Sequence, residues 1–209
     1  MKTLRYNPPS EWTNSSANYL FLGFCDMLSY INSYFKGRND LRMIEIGSFM
    51  GESSSLFASS GMFKEIHCIE PFSGKEEAFD TLPIDTWKDV KEEFDMNTRV
   101  FENIILHQDF SYNVDSEFED KSFDFVYMDG AHDYKSVERD IQLYLPKLKP
   151  LRLFGGHDYS EEFTSLVEVV NKLIGQPDKH FSDASWIILI VTINFISTYL
   201  YSQTIRKNL

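Results

Sequence analysis

A chain of 209 residues with 20 Lys and Arg against 32 Asp and Glu carries a net charge of −12, a field that repels phosphate backbones and anionic lipid and so argues against nucleic acid and membrane surfaces as partners. At 43% apolar residues, with 18 Phe and 11 Tyr, it is too rich in core-forming side chains to be disordered, and a chain of this size buries roughly 70% of the surface its unfolded form exposes. Cys25 and Cys68 lie far apart without metal-ligand spacing and read as reduced thiols in apolar surroundings.

The first forty residues read as an N-terminal helical segment. Met1 to Trp12 lacks a basic region followed by an apolar run, so no secretory signal is visible and a cytoplasmic location is expected. Leu20, Phe24, Met27, Leu28, Ile31 and Phe35 have helical spacing, predicting a helix over Asn18 to Phe35 that Lys36-Gly37 stops. Leu41 to Ile46 is the first strand, Gly47 through Gly51 a tight turn, and Glu52 to Ser60 a helix. A second strand runs Glu65 to Glu70, and a loop with Pro83 leads to a helix over Trp87 to Phe101. Strands follow at Asn103 to His107 and Ser122 to Met128, the latter apolar enough for burial on both faces. Val137 to Leu145 is a helix ended by Pro146, Leu151 to Phe154 a short strand, and Glu161 to Ile174 an amphipathic helix. Segments at Lys179 to Ser182 and Ser185 to Val191 supply an antiparallel edge hairpin. Trp186 to Tyr201 is interrupted by Thr192, Asn194, Ser197 and Thr198 and falls short of the roughly 20 apolar residues of a membrane span. No element is predicted for the tail, residues 192–209.

This alternation predicts an α/β fold: a single Rossmann-like domain whose mainly parallel, seven-stranded sheet has helices on both faces, with residues 41–191 as the cofactor-binding core. Such sheets bind ligands at the carboxyl ends of their strands. Glu45, Gly47, Ser48, Gly51 and Ser53 lie where the first strand turns into a helix. There the glycines let backbone approach a ligand and the helix start offers free N–H groups. The pattern lacks the third glycine of the dinucleotide fingerprint. Glu70 ends the next strand, placed to take both hydroxyls of an adenosine ribose, or simply to sit in solvent. Asp109, after the third strand, either accepts from an adenine amino group or caps a loop. Asp129-Gly-Ala-His132 and Gly155-Gly-His157-Asp158-Tyr159 close the fourth and fifth strands, bringing two acids and two histidines to one rim. Loop capping is the plain alternative for both acids.

Taken together, MIEIGSFMGESS, IHCIEPF, FVYMDGAHDYKSVERDI and LFGGHDY resemble the class I S-adenosylmethionine-dependent methyltransferases, above all the family 24 branch related to macrocin-type O-methyltransferases and cephalosporin hydroxylase. The resemblance implies that Glu45, Gly47, Ser48, Gly51 and Ser53 form the cofactor turn, that Glu70 binds the ribose, and that Asp109 and Phe110 flank the adenine. It implies S-adenosylmethionine as cofactor and a small-molecule, sugar-like hydroxyl as acceptor, and it is compatible with a homo-oligomer. In metal-dependent relatives, acids matching Asp129 and Asp158 hold a divalent ion such as Mg²⁺; here His157 stands beside Asp158 in place of a second oxygen ligand. His132 occupies the place of the lysine base of catechol O-methyltransferases, so with Asp129 it is a candidate catalytic residue, as an imidazole titrating near neutrality. The usual Lys-Pro-Gly-Gly entry to the fifth strand is Lys149-Pro150-Leu151-Arg152. A nicotinamide-dependent oxidoreductase on the same sheet, or a noncatalytic protein that binds S-adenosylmethionine, are the alternatives.

Overall fold

The computed structural model describes residues 16–74 and 86–191; the predicted tail and most of the Pro83 loop lie outside them. Helix α1 (Ser16–Tyr34) is followed by β1 (Leu41–Ile46), α2 (Glu52–Ser59), β2 (Phe63–Ile69), α3 (Trp87–Thr98), β3 (Ile104–His107) and α4 (Ser111–Val114), the last running into a 3₁₀ turn, Asp115–Glu117. Then come β4 (Phe123–Met128), α5 (Tyr134–Tyr144), β5 (Leu148–Gly156), α6 (Thr164–Leu173), β6 (Lys179–His180) and β7 (Trp186–Ile190). The seven strands lie in the order β3-β2-β1-β4-β5-β7-β6. β1 to β5 pair in parallel, and β7 runs antiparallel to both β5 and β6.

Every residue of β4 is buried, as expected of a strand packed on both faces. One face carries Phe24, Met27 and Ile31 of α1 with Phe57, Val90 and Phe94; the other carries Val137, Ile141 and Tyr144 of α5 with Leu166, Val169 and Val170 of α6. Phe57 stands at the first core's centre, its ring 5.0 Å from Phe24 and 5.1 Å from Tyr127. Burying one such side chain contributes about 1.5–3 kcal/mol.

Two differences from the sequence-based expectation have plain causes. Helix α4 spans four residues, too short to leave a periodic signal. Strand β5 begins at Leu148, three residues earlier than predicted, because its pairing with β4 shifts register between Phe123 and Phe125. The extra residues are taken up near Leu151, which lies in the left-handed region at φ 57°. At the other end of β5, a Cβ on Gly156 would fall 2.5 Å from the Met128 carbonyl oxygen and 2.9 Å from the Trp186 ring, and one on Gly155 2.6 Å from the Trp186 carbonyl oxygen.

Asp140 on α5 is 3% exposed, and its carboxylate accepts from Ser111 Oγ at 2.6 Å. Burial pushes its pKa up to about 6 despite that bond and the nearby Arg139. Because the unfolded value is about 3.9, ionising Asp140 costs stability that is absent at pH 3, grows between about 4 and 6, and reaches about 3 kcal/mol above that. Asp140→Asn keeps the acceptor for Ser111. It should raise the thermal midpoint at pH 8 and leave it little changed at pH 4; an equal shift at both pH values would refute the assignment.

Candidate active site

The site lies where β1, β2, β4 and β5 end. After Ile46 the chain turns with Gly47 at φ 83°, Phe49 at 44° and Gly51 at 72°. Gly47 is glycine for two reasons: its φ, and the 2.5–2.6 Å separation of a Cβ there from Asp129 C and Gly130 Cα. The side of Gly47 on which a Cβ would stand is thus filled by protein backbone at the end of β4. At Gly51 the close neighbours are the Phe94 and Thr98 side chains of α3.

Glu45 is 0% exposed beneath this turn. Its carboxylate accepts from Ser48 Oγ at 2.9 Å, Ser53 Oγ at 2.6 Å, Ser54 Oγ, and Cys68 Sγ at 3.4 Å. Burial pushes its pKa up while the three hydroxyls and the thiol pull it down. Glu45, Ser48 and Ser53, expected as ligand contacts, are therefore turned toward one another, and they shape the turn from below.

Glu70, just past β2, is 6% exposed. It accepts the Phe49 N–H at 2.9 Å on one oxygen and the Phe72 N–H at 2.9 Å on the other. Burial, and more weakly the Glu45 charge, push its pKa up against those two bonds. This carboxylate pins Phe49 in its left-handed conformation, one that costs a non-glycine residue roughly 1–2 kcal/mol. At the end of β3, Asp109 accepts from Asn113 Nδ2 and the Phe110 N–H, both at 2.7 Å, bonds that lower its pKa and tie it to the Asn113 side chain of α4. Phe110 is 40% exposed, with its ring stacked 5.3 Å from Tyr112, over which the Arg139 guanidinium lies at 4.2 Å.

Asp129, His132 and Asp158 come together at the ends of β4 and β5, with one ligand-type atom of each within 4.8 Å of the others. His132 Nε2 is 2.9 Å from Asp158 Oδ2, and the Phe163 ring centroid is 4.5 Å from that of His132. His157 Nδ1 lies 2.9 Å from Asp158 Oδ1. Burial alone would raise the Asp158 pKa, but the hydrogen bonds from His132 and His157 hold it well below the usual carboxylate range. His157, expected as a metal ligand, is instead 4% exposed with Nε2 turned to within 3.9 Å of Asp183 Oδ2. The imidazole grouped with the two acids is that of His132. Asp183, which ends this chain of contacts, accepts from Ser185 Oγ at 2.8 Å and comes from the turn between β6 and β7; no motif marks it in the sequence.

Three comparisons set this geometry among known proteins. A family model described as a methyltransferase domain, of the family 24 branch, matches residues 44–159, and no curated protein matches the sequence. Among solved structures, the O-methyltransferase TomG of Streptomyces achromogenes, involved in tomaymycin synthesis and solved with SAM, has a TM-score of 0.54 at 14% identity over 90% of this chain and 85% of its own. Cofactor-bound Rv0187 from MTB has a TM-score of 0.54 at 12% identity over 86% of this chain and 82% of that one. Precorrin 8w decarboxylase of Methanobacterium thermoautotrophicum has 0.51 at 14% identity over 71% of each chain. At these identities the likeness is one of fold. Among the described residues no helix is long and apolar enough to cross a membrane.

Proposed function

Because this chain belongs to the methyltransferase-domain family that its residues 44–159 match, we propose that it transfers a methyl group from S-adenosylmethionine to a hydroxyl of a small molecule, with His132 as the base. The observation that carries this reading is the His132–Asp158 contact of 2.9 Å at the carboxyl ends of the strands, where open parallel sheets bind their ligands. A fold shared with a decarboxylase does not fix a reaction, so the reading stands on the site.

Residues 41–191 are read as the cofactor core. Glu70 fits a ribose: a carboxylate offers about four lone-pair sites, and one backbone N–H on each oxygen leaves capacity for two hydroxyls. Asp109 and the exposed face of Phe110 are read as the adenine side, and the acids Glu70, Asp129 and Asp158 suit a cation. S-adenosylmethionine, when bound, supplies a methyl already made electrophilic by its sulfonium. Asp158 faces Nε2 of His132 and so leaves Nδ1 as the basic nitrogen, which takes the proton from the acceptor hydroxyl. His157 holds Asp158 from behind, and Asp129 orients the acceptor.

S-adenosylhomocysteine binding followed by calorimetry tests the cofactor assignment. Wild-type protein should bind it in preference to NAD, and Glu70→Ala should weaken binding at least about tenfold, roughly 1.4 kcal/mol. Unchanged affinity in a folded variant would remove the ribose assignment.

The 4.8 Å cluster favours a second reading, in which Asp129, His132 and Asp158 hold a divalent cation that acidifies the acceptor. An imidazole in the set points toward zinc, iron or nickel more than toward Mg²⁺. The two readings exclude each other at His132. EDTA leaves turnover unchanged in the first and abolishes it in the second.

A further inference from the structure

Away from this rim, Glu65 and His67 of β2 and His107 of β3 line up, with Glu117 of the 3₁₀ turn at the end of the file. Glu65 Oε2 is 3.5 Å from His67 Nε2, His67 Nδ1 is 3.0 Å from His107 Nε2, and His107 Nδ1 is 3.2 Å from Glu117 Oε2. The imidazoles are largely buried, at 11% and 16% exposure. Phe118 and Phe123 stand against the His67 ring, each at 5.3 Å, and Phe118 lies 5.1 Å from the His107 ring.

We propose that His67 and His107 share one added proton that clamps β2, β3 and the 3₁₀ turn together, making the order of the intervening segment depend on pH. The case is a count of hydrogens. With both glutamates ionised, each of the three gaps needs one N–H. Two neutral imidazoles bring one each, so one gap must set lone pair against lone pair. A single extra proton fills all three; a second has no gap to fill.

The charged groups facing the pair oppose one another. Glu65 from β2 and Glu117 from the 3₁₀ turn favour the proton. Arg42 of β1, which donates to Glu65 at 2.6 Å and lies 4.6 Å over the Phe123 ring, opposes it. Burial, then the neighbouring His107, hold the His67 pKa below its ordinary value, which agrees with one proton on the pair and not one on each ring. The clamp spans a defined piece of chain: His107 stands two residues before Asp109, and Glu117 closes the far side of α4. Below the midpoint the segment is tied at both ends; above it one tie is lost. The inference rests on the function proposed above only in calling this segment the adenine side.

Histidine NMR on the full chain, titrated from about pH 5 to 9, decides the matter without cofactor. His67 and His107 should move together with one midpoint and the amplitude of one proton, and amides of residues 109–117 should exchange faster above that midpoint. Glu117 is 58% exposed, so Glu117→Gln should fold normally. It should lower the midpoint of both rings by about one unit, although His67 does not touch it. Separate midpoints, two protons taken up, or a Glu117→Gln effect confined to His107 would overturn the proposal. So would stoichiometric binding of Zn²⁺ alone that shifts both resonances and abolishes their titration, which would assign the facing nitrogens to a metal.

Discussion

Replacing His132 by alanine should lower kcat by about 10²–10⁴-fold, the usual contribution of a positioned general base, while S-adenosylhomocysteine affinity stays within about twofold. The split follows from the geometry. His132 meets Asp158, 2.9 Å away, and the Phe163 ring, whereas the Glu70 carboxylate is tied to the turn between β1 and α2. His157 is the rival imidazole. At 4% exposure, with its nitrogens directed to Asp158 and Asp183, it cannot meet an acceptor and acts only by holding Asp158. His157→Gln should therefore cost less in kcat than His132→Ala. A near-normal kcat in a folded His132→Ala enzyme, or a larger loss in His157→Gln, would defeat the assignment.

Gly47→Ala should be the most damaging alanine substitution among the described glycines. A Cβ there lies 2.5 Å from Asp129 C and 2.6 Å from Gly130 Cα, and these are backbone atoms of a strand end that cannot swing aside. The left-handed φ of 83° adds about 1 kcal/mol for any non-glycine residue, and overpacking a core position adds about 1–3 kcal/mol. Gly61 is the control: it shares the left-handed conformation at φ 70°, but an added methyl would meet nothing within 4 Å. Denaturant unfolding should show about 1 kcal/mol lost in Gly61→Ala and roughly 2–4 kcal/mol in Gly47→Ala. The folded fraction of Gly47→Ala should also lose turnover, because relieving the clash displaces Asp129. Equal losses in the two variants would mean that conformation alone, and not the contact with β4, requires the glycine.

The strands and their order of appearance were legible because parallel strands buried on both faces carry continuous apolar runs, as Phe123 to Met128 does, and because Gly47, Gly51 and Pro146 punctuate them. The strand ends were legible as well, so Glu70 was put at the end of the second strand, and Asp129 and Asp158 on one rim, from sequence alone. Side-chain direction was not. Nothing in the spacing of Ser48 and Ser53 says that their hydroxyls turn down to Glu45, and nothing in Gly155-Gly-His-Asp says that His157 points inward while His132, from another strand, reaches Asp158. These depend on tertiary neighbours far off in sequence. Asp183 is the extreme case, since it joins the site through a turn late in the chain. Leu151 shows the reverse: the departure from a glycine pair was visible, yet the backbone keeps a left-handed conformation there at φ 57° with leucine in place.

The packing at the end of β5 also constrains how this sequence can change over time. A Cβ at Gly156 would fall 2.5 Å from the Met128 carbonyl oxygen, and one at Gly155 2.6 Å from the Trp186 carbonyl oxygen, and both are backbone atoms that no exchange of side chain removes. Shrinking Trp186 would relieve only the ring contact at Gly156 and leave a cavity. Viable lineages should therefore vary position 186 while positions 155 and 156 stay glycine, whatever residue stands at 186.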